Sequence, residues 1–90
     1  MNTNNLSGMD VEQVRRLARQ LEREANTIEA AVSSLTPRVE SAPWKGTDRD
    51  HFVSEWSGHH HRRLRDVVDG LRSAARHARD HADQQARISD

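Results

Sequence analysis

Nine apolar residues, Val11, Val14, Ala18, Leu21, Ala25, Ile28, Val32, Leu35 and Val39, recur at alternating steps of three and four through the first half of this chain. Only an α-helix brings positions at that spacing onto one stripe, and a stripe sustained over several heptads needs a facing helix to cover it. One set of positions is mostly large (Val14, Leu21, Ile28, Leu35) and the other mostly small (Val11, Ala18, Ala25, Val32, Val39), so a facing helix can come close opposite the alanines. Leu17 and Ala31 widen the stripe, which suits a four-helix bundle better than a two-stranded coil. Asp10 followed three residues later by Gln13 has the form of a capping box, in which the carboxylate accepts a first-turn N–H, and it sets the helix start. Pro37 predicts a kink near Thr36, or else a fresh turn capped by Thr36, and Pro43 predicts the stop.

A second helix is predicted from Thr47, whose spacing to Asp50 again resembles a cap, with Asp48 and Asp50 suited to the positive end of the helix dipole. Phe52 or Val53, Trp56, His60, Leu64, Val67, Leu71, Ala74 and Ala75, Ala78 and Ala82 keep the helical period, with steps of four around His60 that form a stutter. Phe52 and Trp56 lie four apart on one face and read as core. Gly58 and Gly70 each weaken the helix by about 1 kcal/mol relative to alanine, and glycines in that setting often permit close backbone approach. The expected organisation is a flexible N-terminus over 1–9, one domain over 10–87 (helix 10–42, turn 43–47, helix 48–86) and a flexible end over 88–90. The fold class is all-α, an antiparallel two-helix hairpin. Alone, it would leave much of the widened stripe wet, so a second hairpin is expected to cover it.

Composition supports small size and association. Ninety residues make one small domain, and a hydrophobic fraction of 33% with Trp44, Trp56 and Phe52 as the aromatics falls short of a compact α/β fold. Six basic residues balance six acidic ones up to Lys45, and eight balance eight from Gly46 onward, which weakens any electrostatic case for nucleic acid or anionic membrane. No cysteine is present, which excludes disulfides and thiolate metal sites. Met1 to Met9 lack the apolar core of a cleavable signal, and no apolar run approaches the roughly 20 residues of a membrane span. General-pathway export and membrane insertion are therefore not expected.

Histidine and arginine runs give weak chemical signals. His59, His60 and His61 are consecutive and point about 100° apart on a helix. His77 and His81 are four apart and can chelate together, but two ligands fall short of the usual three or four, so a solvated polar face and no metal or cofactor is the expectation. Arg62, Arg63 and Arg65 are followed at once by Asp66 and Asp69 with no base-reading motif beside them, so no nucleic acid is expected. A two-helix hairpin offers no cleft in which nucleophile, base and orienting group meet, and no phosphate-cradling loop or hydrolase elbow is present, so catalysis is not expected.

Trp44-Lys45-Gly46 sits at the midpoint between the two stripes, followed by Phe52 and then Ser54-Glu55-Trp56-Ser57-Gly58-His59. A long helix, a central Trp-X-Gly, a second long helix with an early aromatic and a length near 90 residues resemble the WXG family of small proteins, relatives of the early secreted antigenic target of mycobacteria, and in particular its actinobacterial members. The resemblance covers about Asp10 to Arg87. It implies a hairpin that dimerises into a four-helix bundle, with an identical or a different WXG-type partner, and that is a type VII secretion substrate or the co-secreted partner of a larger effector. Such a protein is cytoplasmic after synthesis and then exported without a cleaved signal. By the same resemblance, Trp44 and Gly46 carry recognition by the secretion ATPase, and Val14, Ala18, Leu21, Ala25, Ile28, Val32, Leu35, Phe52, Trp56, Leu64, Val67 and Leu71 form the core or dimer seam. One departure bears on mechanism. The family's Tyr-X-X-X-Asp/Glu export tail is missing, since the chain has no tyrosine and Asp80, Asp83 and Asp90 are preceded four residues back by Arg76, Arg79 and Ala86. A different tail such as Ala82-Asp83-Gln84-Gln85, or a partner, would have to supply it. The alternative is an intracellular helical dimer acting as a structural or nucleoid-associated adaptor.

Overall fold

The computed structural model describes residues 10–89, so the expectation of a flexible segment over 1–9 lies outside the described residues. All of its regular elements are helical: α1 (Val11–Glu40), α2 (Thr47–Glu55), a π-helical turn (Trp56–His60) and α3 (His61–Ser89). α1 packs along α3 in a hairpin measuring 64 × 19 × 17 Å.

At the start of α1, Asp10 stays extended and its Oδ1 accepts the Gln13 backbone N–H at 3.0 Å, satisfying a donor that the first turn leaves unpaired. Pro37 does not open a new element, because α1 runs through it to Glu40. Thr36 does not cap there either; its hydroxyl donates back to the Val32 carbonyl at 2.8 Å. The end is fixed by Ser41, whose N–H (3.0 Å) and hydroxyl (2.8 Å) both donate to the Pro37 carbonyl. α1 thus stops before Ala42 and Pro43 are reached.

The turn depends on Gly46, whose φ of +111° lies where a residue with a Cβ is strained. A Cβ built there would meet nothing within 4 Å, so dihedral freedom rather than space demands glycine. Gly46 is also the N-cap of α2, and no side chain caps that helix; Thr47, expected as the cap, is already its first helical residue. The Gly46 carbonyl accepts the Asp50 N–H at 3.0 Å. Gly58 and Gly70 do not serve close approach, since a Cβ at either would meet nothing.

The stutter expected near His60 is resolved as a π-turn, in which the His61 N–H reaches the Trp56 carbonyl five residues back. One additional residue per turn changes which positions face α1. Steps of three and four forward from Trp56 lead to Val67 and Ala74; after the π-turn the buried positions are Val68, Ala75 and Ala82, one place later. Val67 is therefore 48% exposed while Val68, one residue on, is buried. The indole N–H of Trp56 donates to the Thr36 hydroxyl at 3.1 Å and ties the π-turn to α1.

The fully buried residues fall at strict heptad spacing, Ala18, Ala25 and Val32 on α1 and Val68, Ala75 and Ala82 on α3. Cross-helix bonds from Glu22 to Arg79 and from Glu29 to Arg72 place Ala25 level with Ala75. Small residues at the line of closest approach let the two backbones come near each other, at the expense of apolar area. A buried methylene is worth about 0.8 kcal/mol, so a seam of alanines and valines gains much less than one of leucines. The larger apolar side chains lie beside this line and are only partly covered.

Candidate functional site

The seam divides the hairpin into two flanks of opposite chemistry. On one flank, Arg15 Nη2 bonds Asp83 Oδ1 at 3.0 Å and Arg79 Nη2 bonds Glu22 Oε2 at 3.2 Å. Arg72 grips Glu29 with both guanidinium nitrogens, at 2.7 and 3.3 Å, and also reaches Asn26 at 3.0 Å. Exposed pairs of this kind add little stability, but the planar fork of Arg72 on one carboxylate fixes register. Hydrogen bonding from Arg72 holds the Glu29 carboxyl below its ordinary value of 4.5. The Arg72 guanidinium is correspondingly held charged by Glu29, and that of Arg15 by Asp83 first and Glu12 second.

A carboxyl whose pKa is lower in the folded chain stabilises the fold fully above its unfolded value, and that contribution disappears as pH falls through the lower folded value. Between pH 5 and pH 3 the melting temperature of the parent chain is therefore expected to fall more steeply than that of Glu29→Gln, the two curves converging at the acid end. Parallel curves in a circular-dichroism melting series would show that the pair does not distinguish folded from unfolded chain.

The other flank is apolar along most of the shaft. Val14, Leu21 and Ile28 from α1 and Leu64, Leu71 and Ala78 from α3 are half-buried beside the seam. Leu35 is exposed, as are Leu17 (52%) and Val67 (48%) further out. Among the residues expected to form the seam, only Ala18, Ala25 and Val32 are fully buried within the hairpin.

At the tip, Trp44 and Phe52 pack on each other with ring centroids 5.6 Å apart and planes tilted by 42°. Both are 43% exposed, so Phe52 belongs to the tip surface and not to the hairpin core, while Trp56 is half-buried. The short α2 aims Phe52 back at Trp44, and Arg49 on the same helix donates to the Glu40 carbonyl, clamping α2 to the end of α1. Beside the aromatics is an open depression of about 370 Å³ lined by Trp44, Lys45, Gly46 and Arg49, among others.

Sequence reasoning missed the charged flank and Val68. The charged flank had a signal: Glu22 and Glu29 are one heptad apart, as are Arg65, Arg72 and Arg79, so acids on one helix faced bases on the other. The contact of Trp44 with Phe52 had none, because it depends on a turn whose path only the Gly46 dihedral sets. Among the described residues, no helix is long and apolar enough to cross a membrane. No family model, no curated protein and no solved structure matches the chain.

Proposed function

We propose that this chain is a non-catalytic, WXG-type pairing protein. Its apolar flank packs against another amphipathic hairpin, its own copy or a different one, to complete a four-helix bundle, and the pair is handled by a type VII secretion machinery as substrate or as co-secreted partner of a larger effector. The observation that supports it most is the asymmetry of the hairpin. One flank is closed by ion pairs, while the other leaves the largest apolar side chains of both helices partly wet along most of the shaft. Monomeric surfaces seldom carry so long an apolar strip, and its edges are polar, as at sites of protein association.

The tip supplies the second element of the proposal. An exposed Trp-Phe pair next to Lys45 and Arg49 has the make-up of an anchor that enters a pocket on a partner, here the secretion ATPase. The Ser41 hydroxyl beside it is already donated to the Pro37 carbonyl, and the depression is open, which suits contact better than reaction. The second helix carries no Tyr-X-X-X-Asp/Glu sequence, so in this reading the partner supplies that half of the export signal.

Trp44→Ala tests the tip. The lost aromatic contact is worth about 0.5–1.5 kcal/mol, so helicity is retained and the melting temperature drops only slightly, whereas export from a host carrying the secretion system falls to background. A variant that loses stability and export in parallel would assign Trp44 a structural role only. Pairing is tested by absolute mass: about 20 kDa is expected, alone or with the cognate hairpin, against 10.3 kDa for the single chain.

A further inference from the structure

We infer that His77 and His81 form a two-point chelating site for a borderline divalent transition-metal ion. Their imidazole rings lie one turn apart on α3 with centroids 4.4 Å apart and planes inclined by 52°. An ion at about 2.0–2.1 Å from a ring nitrogen is about 3.2 Å from that ring's centroid, so two such rings in adjacent, right-angled positions have centroids about 4.5 Å apart. The spacing seen between the two rings meets that requirement.

Three further observations single out this pair. Both residues are exposed and reachable by a hydrated ion. Apart from each other, neither ring has a hydrogen bond, an ion pair or a ring contact among the described residues, so no partner has to be displaced. The other four histidines differ: His59 Nδ1 lies 3.4 Å from Glu55 Oε1, His59, His60 and His61 diverge around the helix, and His51 has no histidine three or four residues away. Among the described residues no three side chains of the metal-binding types converge, so water completes the coordination sphere.

The donor set defines the ion. Two neutral nitrogens favour copper, nickel, cobalt or zinc, in the order copper above nickel above cobalt, and do not favour magnesium or calcium, which take oxygen ligands. Because α3 holds the two residues at chelating distance and an unfolded chain does not, the ion binds the folded state preferentially and raises its stability. His81 occupies the same heptad position as Val67, Ala74 and Ile88, so the ion would lie at the outer edge of the apolar flank.

The test is calorimetric titration of the untagged full chain with copper, nickel, zinc and magnesium chlorides, paired with melting curves. One ion per chain is expected, nickel tighter than zinc and magnesium inert, with an upward shift in melting temperature that excess EDTA reverses. His77→Ala and His81→Ala are each expected to weaken nickel binding at least tenfold at unchanged helicity. The combined His59→Ala, His60→Ala, His61→Ala variant is expected to bind within twofold of the parent. Undiminished binding in either single variant, loss of binding in the triple variant, or no binding by the parent chain would each overturn the assignment.

Discussion

Ala25→Leu is expected to be the most damaging single substitution in the shaft. Ala25 and Ala75 are both 0% exposed and lie level with each other where α1 and α3 approach most closely. Three additional heavy atoms have no space there unless the helices separate, and overpacking of this kind costs typically 1–3 kcal/mol, a large part of the stability of a small domain. Separation also pulls Arg72 from Glu29 and Arg79 from Glu22, since both pairs bracket the site. Thermal melting should show a clear drop for Ala25→Leu, a similar one for Ala75→Leu and a non-additive double variant, as expected for residues in contact. A near-neutral Ala25→Leu would mean that the helices are not packed backbone to backbone at this level.

Leu17→Glu combined with Val67→Glu is expected to halve the mass of the assembled protein without unfolding the hairpin. Both residues are about half exposed, so in an isolated hairpin each change falls within about 0.5 kcal/mol of neutral. In a four-helix bundle the same carboxylates would be drawn out of water against the apolar side chains of the mating hairpin, which costs several kcal/mol. Three kcal/mol corresponds to roughly a hundredfold weaker association. Light scattering should therefore register a shift from about 20 kDa toward the 10.3 kDa chain while circular dichroism stays helical. If mass and melting temperature both match those of the parent chain, the flank is merely a solvated surface and the proposed pairing fails.

The two-helix architecture could be read from Val14 through Val39, because a 3.6-residue period on one side of a proline and glycine turn leaves few alternatives to a hairpin. The separation of small from large positions in that stripe was also legible, and it has a direct counterpart in α1, where Ala18, Ala25 and Val32 are buried and Leu21 and Ile28 stand at the flank. In the second half the period alone misled. Val67 and Val68 are both β-branched and equally apolar, so nothing in their chemistry says which faces inward; the choice is made upstream, at the Trp56–His60 turn, by an extra backbone step. Pro37 is carried inside α1, which sets aside the separate turn capped by Thr36. A proline near a helix end removes a single backbone donor, and the helix continues past it to Glu40. The tip was legible as a turn and not as a surface, since the mutual packing of Trp44 and Phe52 comes from the direction of α2 and not from their spacing.

The π-turn at Trp56–His60 makes the heading of the tip a matter of residue count rather than residue identity. Deleting any one residue there would restore an ordinary helix and turn α2, with Phe52, by about 100° relative to α3, while the packing of α1 along α3 keeps its register. Substitutions can alter what the aromatic pair binds, but only an insertion or deletion can change which way it points relative to the apolar flank. In the proposed pairing, a change of one residue in length at this position would therefore re-aim the tip relative to the apolar flank with no change in the seam itself.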